Sequence, residues 1–322
     1  MRFLHVGVVK NSNNIYLCGS KKAYNDTYMA RINLKGMGVA LVTPFKQDKS
    51  IDFDALARLL EYQIKNGVDY MVVLGTTAET ATLSVDEKHA VRDFIVERVA
   101  GRVPLVIGIG GNNTMALVEE LRSSDLTPFQ AVLSVVPYYN KPSQEGIYQH
   151  YKAIAEASPI PVILYNVPGR TGVNMTAETT LRLASEFDNI IGVKEASGNI
   201  SQMDDIIKNK RDDFMVISGD DGITFPLITL GAVGVISVIG NAFPKEFSRM
   251  VRLALQGDYE RALTIHHRFT ELFSLLFVDG NPAGVKCLLH AMGFIENELR
   301  LPLVPTRITT YEKIRHVLEG LS

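Results

Sequence analysis

Eight short apolar runs, at residues 38–42, 70–74, 103–107, 131–135, 162–165, 190–194, 214–217 and 233–236, recur along the chain. Amphipathic segments long enough to be helices separate them, such as 53–65, 85–99 and 146–156. Each run is continuously apolar rather than alternating, the pattern of parallel strands covered on both faces. Eight strand-then-helix units predict an α/β fold of the closed (β/α)8 kind, with an open eight-stranded sheet as the competing arrangement. Asp52, Ser84 and Ser143 are placed to cap helices, and Glu145 lies where a helix dipole favours negative charge. After Asn241 the strand pattern stops, and 242–256, 259–277, 282–292 and 308–319 read as helices. The first of these closes the eighth unit. The expected division is therefore an N-terminal extension over 1–31, poorly ordered or peripheral, a barrel over 32–255, and a C-terminal helical domain over 256–322.

Composition narrows the function. A chain of 322 residues with 46% hydrophobic side chains can bury a large core, while a net charge of −2 without a basic block offers nucleic acid no electrostatic footprint. Two cysteines, Cys18 and Cys287, are too few and too far apart for a disulfide framework or a metal site. No apolar run is long enough to span a bilayer. The first residues lack the apolar core and small-residue site of a secretory signal. A cytoplasmic location, with no membrane and no nucleic acid as partner, is the expectation.

In such a barrel, chemistry collects where the strands run out into the following loops. The sixth run ends at Lys194. A lysine emerging from a dry strand must be paired, must reach solvent or must lose its charge, and the neutral amine is a nucleophile toward carbonyls. The fifth run ends at Tyr165, readable as a packing anchor or as a proton-carrying phenol, with Arg170 five residues on in a Pro/Gly-braced loop. That arginine is suited either to clamping a carboxylate or to a surface ion pair. After the second run, Gly75-Thr76-Thr77-Ala78-Glu79 offers hydroxyls and N–H groups at a tight turn, fit to cap a helix or to hold a carboxylate. After the fourth, Tyr138 and Tyr139 sit between Pro137 and Pro142, one free to pack and the other to reach a site. Asp220-Asp221 after the seventh has no partner ligand at a convincing spacing, so capping explains it better than a metal. The pair His266-His267 reads as packing or surface. Ile236, on the eighth run, is placed to line a cavity floor. A lysine, tyrosines, hydroxyls and an arginine at one rim, without a metal donor set, suit imine chemistry on a small 2-oxo acid.

Taken in order, Gly75-Thr76-Thr77-Ala78-Glu79, Pro137-Tyr138-Tyr139-Asn140, the stretch from Tyr165 through Asn166, Pro168 and Arg170 to Gly172, Gly192-Val193-Lys194-Glu195-Ala196 and Gly234-Val235-Ile236-Ser237 resemble the dihydrodipicolinate synthases, over about Gly36 to the C-terminus. The resemblance implies a TIM barrel with a C-terminal helical domain, no metal or organic cofactor, and condensation of pyruvate with L-aspartate 4-semialdehyde in lysine and diaminopimelate biosynthesis. It implies Lys194 as the Schiff-base lysine, Tyr165 as general acid/base, and Thr76 and Tyr139 as the rest of a proton relay, Tyr139 being lent across a dimer interface. Thr77 would hold the pyruvate carboxylate, Arg170 the carboxylate of the aldehyde, and Gly219 and Ile236 would line the pocket. Homotetramers built as dimers of dimers are the family's common assembly.

Two departures stand out. Ala78 occupies a position where the family usually has glycine, which alanine can replace only if the loop there is helical. Lys88 and Ala116 stand where lysine-inhibited members carry a histidine and a glutamate, so feedback inhibition by lysine is expected to be weak or absent. N-acetylneuraminate lyases and 2-keto-3-deoxy sugar-acid aldolases share the lysine and tyrosine, but Arg170 favours an acidic aldehyde over a polyol. A non-catalytic barrel acting as a binding or scaffold protein would have lost one of Lys194, Tyr165 or Thr76, and none is lost.

Overall fold

The computed structural model describes residues 8–11, 14–17 and 34–321. Residues 1–33 and 34–322 are separate compact units. In the first, Val8–Asn11 and Asn14–Leu17 pair antiparallel, a hairpin that the sequence pattern did not announce. The rest of the 1–31 extension lies outside the described residues.

The eight strands close into a parallel barrel: β1 (Gly36–Ala40), β2 (Tyr70–Val73), β3 (Leu105–Gly108), β4 (Ala131–Val135), β5 (Val162–Asn166), β6 (Ile190–Glu195), β7 (Met215–Ser218) and β8 (Gly234–Ser237). Strand β8 pairs with both β7 and β1, which excludes the open-sheet alternative. Nearly every strand residue is buried, as the unbroken apolar runs require. Strand β1 starts two residues before its predicted start, because Gly36 pairs with Gly234 of β8, where backbones approach too closely for a side chain. A Cβ on Gly234, which has φ +150°, would lie 1.9 Å from the Gly36 carbonyl oxygen. Tyr70 fills the barrel interior, and a Cβ on Gly38 would meet its ring at 2.2 Å.

Each strand leads to a helix: α1 (Phe53–Lys65), α2 (Val85–Val99), α3 (Thr114–Ser123), α4 (Gln144–Ala157), α5 (Ala177–Glu186), α6 (Ile200–Asn209), α7 (Thr224–Leu230) and α8 (Pro244–Leu255). The three expected caps are present. Asp52 accepts from the Ala55 N–H, Ser143 accepts from that of Gly146, and Ser84 forms a reciprocal capping box with Glu87.

Four helices follow: α9 (Tyr259–Arg268), α10 (Thr270–Val278), α11 (Ala283–Ala291) and α12 (Ile308–Leu321). The single helix expected over 259–277 is broken at Phe269, with no glycine or proline to signal it. Phe269 is buried against the rings of Phe243, Phe247 and Phe273, and the chain turns around this aromatic contact. His266 packs against Phe225 and Phe273, with ring centroids 5.8 and 5.2 Å away, the first of the two roles, packing or surface, expected for the His266-His267 pair. Leu272, Leu276, Val285 and Leu288 join the same core as the barrel helices. Among the described residues, no single helix is long and apolar enough to cross a membrane.

Candidate active site

Strands β5 and β6 bring the two central side chains together. Tyr165 and Lys194 are register partners, and both are 6% exposed. The lysine Nζ lies 4.3 Å from the centre of the tyrosine ring. Because side chains alternate along a strand, the next residues, Asn166 and Glu195, face away from the barrel axis and are also partners. There the Asn166 amide donates to Glu195 Oε1 and, at 2.8 Å, to Asn174 Oδ1. Glu195 Oε2 accepts from Ser197 Oγ at 2.6 Å, and Gln202 Nε2 donates to Oε1 at 3.2 Å. Burial raises the Glu195 carboxyl above its ordinary range, and these hydrogen bonds oppose the shift.

From β7, Gly219 leaves room for the lysine. A Cβ there would come within 3.1 Å of Lys194 Cε and 2.7 Å of Ala196 Cβ. Beyond it, Asp220 accepts from the Gly222 N–H at 2.8 Å, and Asp221 accepts from those of Val238 and Ile239 at 3.0 and 2.8 Å. The aspartate pair thus braces the β7 and β8 loops, and burial pushes Asp221 up to about 6. Among the described residues, no three of His, Cys, Asp and Glu converge as a metal donor set.

The turn after β2 completes the inner wall. Thr76–Ala78 forms one 3-10 turn. The left-handed residue is Glu79, with φ 55°, so alanine fits at position 78 without strain. Thr43 Oγ1 donates to the Ala78 carbonyl at 2.8 Å, Thr77 is buried and Thr76 is exposed. A cavity of about 720 Å³ is lined by Thr76, Thr77, Tyr165 and Lys194 and extends outward past Lys88, His89, Arg92, Ala116 and Glu119. Its size suits a small substrate.

The remaining expected residues do not line this cavity. Ile236 is buried within β8, opposite Gly38. Arg170 is exposed on a single helical turn, Pro168–Thr171, where a loop was expected, and its guanidinium donates to the Asn281 carbonyl at 3.2 Å. Tyr139 is 87% exposed and holds φ 78°, an unusual conformation for a bulky side chain.

Sequence reading missed Asn281, whose side-chain amide donates to Thr77 Oγ1 at 3.0 Å while its carbonyl holds Arg170. It also missed the ion pair of Glu79 with Lys286, 2.5 Å apart and fully buried. Both partners come from segments some 200 residues away, and no local pattern marks them.

A closed parallel barrel whose strand ends pair a buried lysine with a tyrosine over one cavity fits an enzyme, and its family and relatives make it one of the lyase class. Residues 33–321 match the Dihydrodipicolinate synthetase family, and the chain belongs to that family. It is 73% identical over 294 residues to the 4-hydroxy-tetrahydrodipicolinate synthase of Parabacteroides distasonis, covering 91% of this chain and 99% of the relative. Among solved structures, the dihydrodipicolinate synthase of Aquifex aeolicus superposes with a TM-score of 0.86 at 42% identity, over 89% of this chain and 98% of that one. The chloride-inhibited dihydrodipicolinate synthase of Acinetobacter baumannii, in complex with pyruvate, does so with 0.86 at 41% identity, over 89% and 98%.

Proposed function

We propose that Lys194 condenses with pyruvate and that the resulting enamine attacks L-aspartate 4-semialdehyde. The observation that carries this reading is the buried Lys194 amine 4.3 Å from the Tyr165 ring, on the cavity that the Thr76–Thr77 turn also lines. The overall reaction is the one its relatives are named for, 4-hydroxy-tetrahydrodipicolinate synthesis, within lysine and diaminopimelate biosynthesis. Lys194 Nζ adds to the pyruvate C2 carbonyl, and water leaves to give the imine. A proton lost from the neighbouring methyl gives the enamine, whose carbon bonds to the aldehyde carbon. The amino group of the aldehyde substrate then attacks the imine carbon and releases Lys194, so one water is formed per turnover.

Tyr165 moves the protons, relayed through Thr76 and Tyr139. A phenol at this place works by exchanging its proton within hydrogen bonds rather than as a free base. Thr77 holds the pyruvate carboxylate, and Arg170, with its planar fork, receives the carboxylate of the aldehyde. Gly219 leaves room for the Lys194 stem beside the pocket, and Ile236 is buried in the barrel core. The exposure and left-handed backbone of Tyr139 favour an assembly in which it enters the cavity of a second copy, a homotetramer of paired dimers. The barrel over 32–255 supplies these residues and 256–322 is the helical domain, with the reaction in the cytoplasm.

Borohydride reduction in the presence of pyruvate, followed by peptide mapping, tests the imine: an unmodified Lys194 removes it. Rates with aspartate semialdehyde, N-acetylmannosamine and glyceraldehyde test the acceptor, and a preference for either sugar-type aldehyde removes the synthase assignment.

A further inference from the structure

We infer that Lys286, on helix α11, is a positioning residue for the carboxylate-binding turn, acting through its buried ion pair with Glu79. The inference rests on the reaction proposed above and adds a part that lies outside the cavity. Glu79 is the residue that lets the chain leave the Thr76–Ala78 turn, and it does so with φ 55° and ψ 35°, a conformation that a side chain with a Cβ adopts only when its surroundings hold it. Its two carboxylate oxygens are held separately. Oε1 lies 2.5 Å from Lys286 Nζ, and Oε2 accepts from the backbone N–H of Arg300 at 3.1 Å.

Lys286 in turn donates to the Glu298 carbonyl at 2.9 Å, and its ammonium lies 4.1 Å from the centre of the Phe45 ring. Neither side chain of the pair is exposed to solvent. Burial draws the Lys286 ammonium down to about 8, against the opposing pull of Glu79, so desolvation is the larger effect. Such a pair is poorly explained by stability, because apolar residues of similar volume commonly serve a core as well or better.

What the pair does provide is a fixed point two residues from Thr77. Five residues before Lys286, Asn281 fixes the Thr77 hydroxyl directly. The start of α11 and the loop before it therefore grip the turn at two places, and donors to a carboxylate are effective only when held in place before the ligand arrives.

The test uses the full chain. Wild type is first trapped with borohydride and pyruvate. If Lys194 carries no adduct, the proposed reaction falls and this assignment falls with it. Given the adduct, two variants are compared. E79Q/K286M removes both charges together and leaves no lone buried ion, while Glu79→Asp keeps both charges and withdraws the carboxylate by one methylene. Either variant should raise the KM for pyruvate at least about tenfold while moving that for aspartate semialdehyde by less than about twofold. The pyruvate concentration for half-maximal trapping should rise in parallel, with the melting temperature little changed. An unchanged pyruvate KM in a folded variant overturns the assignment. An equal rise in both KM values, or a loss confined to melting temperature, also overturns it, because either marks a merely structural pair. Glu79→Asp decides the matter alone if the double variant is insoluble.

Discussion

Tyr165 and Lys194 stand opposite one another because strand β6 carries one residue more than its neighbour. Val162 pairs with Ile190, but the next residue, Ile163, pairs with Gly192, so Ile191 is an extra residue and every later partner is displaced by one. Without that step Tyr165 would face Val193, and the lysine would fall opposite Asn166. The Tyr165–Lys194 pairing thus depends on one extra residue, Ile191, three positions before the lysine.

The register is locked on the far side of the same strands by Asn166 and Glu195. Asn166→Ala removes a donor from a fully buried carboxylate and is expected to cost on the order of 1–3 kcal/mol of stability. It should also lower kcat, since the displaced strand ends carry Tyr165 and Lys194. Urea unfolding together with steady-state kinetics reads both, and an unchanged kcat in a destabilised variant would separate the register from the chemistry.

Tyr165→Phe keeps the ring beside the lysine and removes only the hydroxyl. The turnover rate should fall by roughly 10²–10⁴, the range for a general acid–base group. The half-time for borohydride trapping by pyruvate should lengthen as well, because imine formation needs the same proton transfers. Rapid trapping in the variant would exclude Tyr165 from that step.

The exposed Tyr139 gives a complementation experiment. Tyr139→Phe and Lys194→Ala should each be nearly inactive. Subunits exchanged between them should recover activity, up to about a quarter of wild type, since half of the pairs are mixed and one of their two sites is intact. No recovery after demonstrated exchange would mean that Tyr139 serves its own cavity.

Acid stability should be sensitive to His150. It lies buried on α4 with Nδ1 2.9 Å from Thr114 Oγ1, and burial lowers it from 6.5 to about 4. The fold favours the neutral ring, so its contribution is complete above pH 6.5 and is lost as pH falls toward 4, by up to about 3 kcal/mol. Asp221 has the opposite sign. Raised from 3.8 to about 6, its contribution is present below 3.8 and is lost as pH rises through 6. The difference in urea midpoint between wild type and His150→Gln, followed from pH 7 to 4, isolates the histidine and should narrow steadily.

L-Lysine should inhibit weakly or not at all. Lys88 and Ala116 both line the outer part of the cavity, where the Lys88 cation repels a diamine and the Ala116 methyl group offers it no acceptor, an effect that outweighs the attraction of the Glu119 carboxylate on the same wall. Strong loss of activity at low lysine concentration would overturn this.

The barrel was legible because its strands are written as unbroken apolar runs, and their ends named Lys194, Tyr165 and Thr76 without reference to the three-dimensional structure. Capping residues were equally plain, since Asp52, Ser84 and Ser143 act within one turn of themselves. What stayed hidden acts at a distance or without a special residue type. The extra residue at Ile191 looks like any apolar strand residue. The helix break at Phe269 comes from aromatic packing. Asn281 and Lys286 matter only because the fold returns them to a turn two hundred residues upstream. The question raised by Ala78 needed the backbone itself, which puts the left-handed angle on Glu79.

Gly219 has one more implication. A single methyl group added there would press on the stem of Lys194 from 3.1 Å while every reactive side chain kept its identity. A family member could be silenced at this spot and still carry the full set of signature residues. The space beside Lys194 is thus a requirement that none of those side chains records.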